Sequence, residues 1–323
     1  MTIQEIYDLA IQMGTKADPR GLDGVKRYLS RVKKQFESLP KSEKEYFDEE
    51  SLKNPYADTR VLYGDRKKPI KKIMAGIDMN AGEVLLADRL NQKGAKIDLL
   101  IGHHPEGGAL AALGDVMDIQ VDLMASFGVP IHIAESLLSE RVTQVTRRLG
   151  PINHYQNVET ARMLDIPFMV IHTVWDNMGH RFMTDYIKKN EAKFDTVGDV
   201  YDAIMEIPEF KIAKKGGAGP MLTSGSRSRR AGRVAVSGFT GGTEGSKRIY
   251  EKLSNAGVGT VIEMHMGEEH FEEAKKHHLN MIVSGHMSSD SIGANLFLDE
   301  LEKKGIEVVP CSGLVRVKRG GSK

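Results

Sequence analysis

Two adjacent histidines, His103 and His104, stand with Pro105 where the apolar run Ile97 to Ile101 gives out. Neutral imidazole is the commonest side-chain ligand for a metal ion, and open α/β sheets collect their ligands beyond the carboxyl ends of the strands. Pro105 confines His104 to extended backbone, which holds the second ring stiffly beside the first. Neighbours on a regular strand face opposite ways, so both rings reach one site only if the strand ends there, as Pro105 and Gly107-Gly108 indicate. Side-by-side imidazoles suit two neighbouring ions.

Two more predicted strands end in ligand-type residues. Ile166 to Ile171 runs into His172-Thr-Val-Trp-Asp176, and Met281 to Val283 leads through Gly285 into His286-Met-Ser-Ser-Asp290. Each motif sets a carboxylate four residues after an imidazole, on one face if a helix begins there. The competing reading of Asp290 is a first-turn acid in a helix Ile292 to Lys303 capped by Ser288 or Ser289. For His172 and Asp176 it is a buried, hydrogen-bonded histidine and a loop aspartate. Three strand ends far apart in sequence favour convergence on one sheet edge.

The elements that must position these residues read as α/β. Helices are predicted at Ile3 to Met13 and Leu22 to Leu39, with an acidic helical stretch from Ser42 to Leu52, together a peripheral cap. Then come strand Ile73 to Met79, a helix Ala81 to Gln92 capped by Asn80, and strand Ile97 to Ile101. A helix Asp115 to Phe127, a short strand Val129 to Ile133 and two helical segments precede the strand at Ile166. The pattern weakens between Met183 and Arg233, and Lys214 to Arg233, rich in Gly, Ser, Lys and Arg, is the linker candidate. Strand Val234 to Ser237, helix Glu244 to Asn255, strand Val258 to Ile262 and helix Glu268 to His277 lead to the strand before His286. The expected division is a helical extension over 1–54, a first α/β domain over 55–182, a linker or variable segment over 183–232 and a second α/β domain over 233–323.

The chain has 323 residues, net charge +1 and one cysteine, Cys311. Two domains are the expectation at this length. Near-balanced charge gives no global field toward nucleic acid or membrane. A single cysteine excludes an internal disulfide framework and a Cys-x-x-Cys site, so any metal falls to His, Asp and Glu. The first residues are unlike a signal peptide, no apolar run reaches the roughly 18 residues of a membrane span, and a cytoplasmic protein is expected.

In order and context the motifs resemble the Nif-three-like family: Ile77-Asp78 through Leu100-Ile-Gly-His103-His104-Pro105, then His172-Thr-Val-Trp-Asp176, then Val283-Ser-Gly-His286-Met-Ser-Ser-Asp290. Pro55-Tyr-Ala-Asp-Thr-Arg-Val-Leu-Tyr-Gly64 is similar to the segment before that family's first strand, and Val234-Ala-Val-Ser-Gly-Phe-Thr-Gly-Gly242 to its glycine-rich turn. The resemblance covers Pro55 to the C-terminus. It implies a dinuclear metal centre in the cleft between two α/β domains, in a homohexamer. Carried over residue by residue, the ligands are His103, His104, Asp176, His286 and Asp290, with His172 close by as a supporting group or an extra ligand; His172 is also the one candidate for a catalytic general acid. Departures are Asp290 where the family has Glu, a longer span from His104 to His172, and Asn-Met-Gly-His-Arg-Phe after Asp176.

The remaining signals are weaker. The loop Gly238 to Gly245 follows a strand and precedes a predicted helix, a place for phosphate or simply a tight turn, and it lacks the Gly-Lys-Ser/Thr of a P-loop. His265, after strand Val258 to Ile262, is placed to enter the cleft, whereas His277 and His278 read as solvated. Arg227-Ser-Arg-Arg230 and Lys318-Arg319 read as linker and tail rather than as a nucleic-acid contact, and Cys311 as a core thiol. Imidazoles and carboxylates without thiolates favour two divalent ions among Zn, Fe, Mn or Co. The leading expectation is metal-dependent hydrolysis of a nucleotide or phosphorylated small molecule, and the resemblance adds the label GTP cyclohydrolase I type 2. The alternative is a non-catalytic metal-binding regulatory or scaffold hexamer.

Overall fold

Apolar runs too short for helices form nine strands in the computed structural model, which describes residues 1–319. In chain order they are β1 (Thr59–Tyr63), β2 (Lys72–Gly76), β3 (Leu99–Gly102), β4 (Phe168–Ile171), β5 (Met221–Ser224), β6 (Arg233–Val236), β7 (Val258–Glu263), β8 (Asn280–Val283) and β9 (Glu307–Cys311). One sheet runs β1-β4-β3-β2-β9 and the other β5-β8-β7-β6. In both, the first strand is antiparallel to the fourth and the other neighbours are parallel. The wiring is therefore used twice, with β9 as an added edge. Every residue of β3 and β4 is buried, as parallel strands covered on both faces must be.

The double wiring gives β4 and β8 equivalent places, and each runs straight into a long helix. Helix Thr173–Asn190 follows β4 and helix His286–Lys303 follows β8. The two helices meet at Gly179 and Gly293, where a Cβ on Gly293 would lie 1.9 Å from the carbonyl oxygen of Trp175. Only a hydrogen at that position permits so close a crossing. Behind it, Trp175, Phe297, Leu298 and Leu301 join Ile73, Ile101 and Ile171 in the core of the first sheet.

The structure corrects several of the sequence-based expectations. Helix Ile3–Ala17 is no peripheral cap, because Ile3, Ile6, Tyr7 and Ala10 lie in that same core. The Ser42 to Leu52 stretch forms only short turns, Lys41–Lys44 and Glu49–Leu52. Val129 to Ile133 is not a strand: Pro130 caps helix Ile131–Leu149, since a proline before the first turn fixes a helix start that a brief apolar run cannot reveal. Residues 183–232, expected as a linker or variable segment, are no bare linker: they carry helices Val197–Ile204 and Pro208–Lys215 and strand β5, with Val197, Val200, Ile204 and Phe210 buried against Met183. The C-terminal segment does not stay with the second sheet, because β9 pairs with β2 from Lys72↔Glu307 to Gly76↔Cys311.

Candidate metal centre

Both histidines of the pair face one site because the strand pleat breaks after Gly102. The backbone N–H groups of His103 and His104 both donate to the carbonyl of Ile77, at 3.1 and 3.0 Å. Their ring centroids lie 5.2 Å apart. His103 is buried, its Nδ1 is 3.1 Å from the carbonyl oxygen of Ile171, and its ring stacks at 7° on the indole of Trp175. A carbonyl can only accept, so Nδ1 carries the proton and Nε2 is left for the site. His104 is held likewise through Nδ1, 2.6 Å from Oδ1 of Asp78. His172 is held by buried Asp58, whose Oδ2 is 2.8 Å from its Nδ1 and also accepts from the Thr173 hydroxyl at 2.6 Å.

Two carboxylates face these nitrogens. Asp176 Oδ1 is 3.3 Å from His103 Nε2, and Asp176 Oδ2 is 3.9 Å from His172 Nε2. Asp290 Oδ1 lies 3.6 Å from His103 Nε2, and its Oδ2 lies 3.7 and 3.4 Å from Nε2 of His104 and His286. Gly285, at φ +98°, turns the chain from β8 into the helix, and a Cβ there would strike the carbonyl oxygen of Ala218 at 2.5 Å. The helix thus begins at His286, not Ile292. Asp290 sits inside it, a full turn past the cap, which removes the reading of Asp290 as a first-turn acid behind a serine cap.

Asp290 is 2 % exposed, yet neither carboxylate oxygen has a hydrogen-bond partner. The nearest imidazoles are beyond hydrogen-bond range, and a buried carboxylate without partners is costly. The spacing suits a cation: ligand atoms each about 2.1 Å from a shared ion stand roughly 3–3.5 Å apart. Three overlapping groups have ligand atoms within 4.8 Å of one another, namely His103, His104 and His172, then His104, His286 and Asp290, then His103, Asp176 and Asp290. The donor set fits a divalent ion.

Charge follows the same geometry. Burial drives His286 down to about 4, outweighing Asp290, so it is neutral and ready to ligate. For Asp290 burial acts upward, but His103, His286 and His104 outweigh it and hold the carboxyl at about 2. Burial also disfavours a charged His103, yet Asp290 and Asp176 raise it well above the ordinary imidazole range. Without an ion, a proton on His103 balances the carboxylates.

A cavity of about 80 Å³ opens beside His172, Asp176, His286 and Asp290. His265 does enter it, with its ring 4.5 Å from that of His286 and Nδ1 3.2 Å from Glu244 Oε1. The loop Gly238 to Gly245 forms one wall, but the helix after it starts only at Ile249. The loop therefore lacks the helix N-terminus that the phosphate alternative required, which leaves the reading as a turn. His278 is exposed, as expected. Arg227 pairs with Asp202, Lys318 with Glu302 and Arg319 with buried Glu209. Cys311 lies 3.7 Å from the Met79 sulfur, and burial pushes its thiol up to about 11.

Neither a family model nor a curated protein matches the chain. Among solved structures, the chain is similar over 97 % of its length to a NIF3 superfamily protein from Sphaerobacter thermophilus, covering 99 % of that chain at 30 % identity and a TM-score of 0.76. The chain belongs to the NIF3 superfamily. Reduced HcgD from Methanocaldococcus jannaschii matches at 14 % identity, 77 % and 87 % coverage and a TM-score of 0.42. A Bacillus cereus protein related to NIF3 matches at 10 %, 82 % and 92 %, and 0.41.

In this NIF3 superfamily chain the motif residues His103, His104, His172, Asp176, His286 and Asp290 all meet in one place. Sequence reasoning did not assign roles to Asp58 and Asp78, although both lie in segments that carried the resemblance. It also missed Glu244 and Glu263 in the cavity wall. A carboxylate at the end of a predicted strand was the one available signal, present for Asp78 after β2 and for Glu263 at the end of β7.

Proposed function

We propose that this protein is a metal-dependent hydrolase with two divalent ions, among Zn, Fe, Mn or Co, on His103, His104, Asp176, His286 and Asp290. The observation that carries the reading is Asp290, a buried carboxylate whose oxygens lack hydrogen-bond partners and face different imidazoles. In this reading Asp290 would be one of the residues that hold the ions, and its short stem would reach them because helix His286–Lys303 is brought close at Gly293. When bound, such ions activate water and stabilise charge on a phosphoryl or carbonyl oxygen.

The chain's own groups prepare that chemistry. Ile171, Asp78 and Asp58 fix the Nδ1 sides of His103, His104 and His172, which keeps each Nε2 directed inward. His172 either ligates through Nε2 or takes a proton there, with Asp58 stabilising the charged ring as an orienting carboxylate does. The substrate in this reading is a nucleotide or phosphorylated small molecule, with GTP cyclohydrolase I type 2-like ring hydrolysis as one form of it. A cytoplasmic homohexamer is part of the same proposal.

The test is turnover by purified protein loaded in turn with each metal, on nucleoside triphosphates, cyclic nucleotides and model phosphoesters. Activity that disappears in His103→Ala is expected. No turnover on the whole panel, together with an assembly that disperses on chelation, would replace hydrolysis with the scaffold reading.

A further inference from the structure

The wall of the cavity facing away from the ligand set has a charge pattern that restricts what can enter. Among the described residues no Lys or Arg lines the cavity, while Glu244 and Glu263 do. Arg141 and Lys247 are nearby cations, but Arg141 Nε donates to the carbonyl of Glu244 and its Nη1 to Gln144, while Lys247 pairs with Glu269. Glu244 uses Oε1 for His265 and for the backbone N–H of Gly267 at 2.9 Å. Its Oε2 has only His270 Nδ1, 3.8 Å away, too far for a hydrogen bond. One carboxylate oxygen in the wall is therefore left to accept from a ligand. Glu263 is buried behind it and accepts from the Tyr250 hydroxyl at 2.9 Å. The rest of the lining includes Leu123, Met124, Leu138 and Ile249.

We propose that the substrate places its oxyanion or carbonyl oxygen at the metal centre and presents an uncharged or cationic, N–H-bearing end to Glu244. The inference rests on the hydrolytic reading and narrows its substrate class. A second anionic group, such as the remainder of a polyphosphate chain, would enter a small cavity whose wall holds a carboxylate and no Lys or Arg, with only the imidazoles of His265 and His270, already turned to Glu244, to offset its charge. Like charges at contact distance near a protein surface oppose binding by on the order of tenfold or more. A phosphomonoester with a neutral or amine-bearing body fits, and so does an amide. Specificity of this kind works by repelling the wrong ligand as much as by attracting the right one.

The test uses three probes with one metal-binding head and one chain length. β-Alanine hydroxamate ends in an ammonium, butyrohydroxamate in a methyl and succinate monohydroxamate in a carboxylate. Their affinities are measured by calorimetry on protein loaded with its ions and on Glu244→Gln, whose metal content is checked by elemental analysis. The ammonium and methyl probes are expected to bind at least about tenfold more tightly than the carboxylate probe. Glu244→Gln should reduce that gap to about threefold at unchanged metal content. A carboxylate probe that binds wild type as well as the others, or a gap that survives in Glu244→Gln, would overturn the proposal. If none of the three binds a protein that holds its ions, the hydrolytic reading itself fails and the inference falls with it.

Discussion

Oδ2 of Asp290 lies 3.4 Å from Nε2 of His286, one turn earlier on the same helix, and Oδ1 faces the other way, 3.6 Å from His103 on a different sheet. One carboxylate thus faces ligands brought together by both sheets. The doubled wiring explains how, since β4 and β8 hold equivalent places and each launches a helix with a carboxylate near its start. The close crossing of those helices then sets the separation of Asp176 and Asp290.

That crossing is open to a direct test. In Gly293→Ala the new methyl meets the Trp175 carbonyl, which is backbone and cannot move aside alone. A loss of about 1–3 kcal/mol, as overpacking in a tight interior costs, is expected in urea unfolding, together with lower metal occupancy as the helices part. Unaltered stability and occupancy would show that the crossing does not set the site.

Asp78 orients His104 from a half-exposed position, so removing it should spare the fold. Asp78→Ala is expected to weaken metal binding by about 10–100-fold in a chelator competition, while apo-protein stability stays within about 0.5 kcal/mol of wild type. Equal metal affinity in the two proteins would remove Asp78 from the supporting set.

Glu263 gives a pH dependence of defined sign. Burial pushes its carboxyl up to about 7, so the folded state holds a proton that the unfolded state has lost. Stability should therefore fall as pH rises from about 4.5 to about 7 and stay lower above that. Glu263→Gln keeps an acceptor for Tyr250 and removes the charge. It is expected to gain about 1–3 kcal/mol at pH 8 and nothing near pH 4, where the carboxyl is protonated in both states. A wild-type advantage at pH 8 would mean that the ionised carboxylate is stabilised by something other than these neighbours.

The ligand residues could be read from sequence because each sits at a strand end, where an apolar run gives way to His-His-Pro or to His followed by Asp at helical spacing. The helices that follow two of these strand ends were legible only as a condition on the His-to-Asp spacing: none was predicted at Thr173–Asn190, and the one after His286 was placed six residues late. What stayed hidden depends on tertiary pairing. Nothing local marks Glu307–Cys311 as an edge of the first sheet, since its partner β2 lies far away in sequence. Nor did the polar run after Met183 reveal its helices, whose apolar faces are short and gain their order from Met183 and Phe210. Asp58 and Asp78 acquire roles only once His172 and His104 are beside them. Pro130 shows the opposite failure, a signal that was present and was outweighed by Val, Ile and Ile around it.

Metal stoichiometry of wild type, Asp290→Asn and Asp290→Glu, by elemental analysis with melting temperatures alongside, reaches the central claim most directly. An amide is a neutral and poorer ligand for a divalent ion, so the Asn variant should hold fewer ions than the two expected per wild-type chain, whereas Glu should keep them. Undiminished metal content in Asp290→Asn would contradict the account and leave His103, His104, Asp176 and His286 to carry the site.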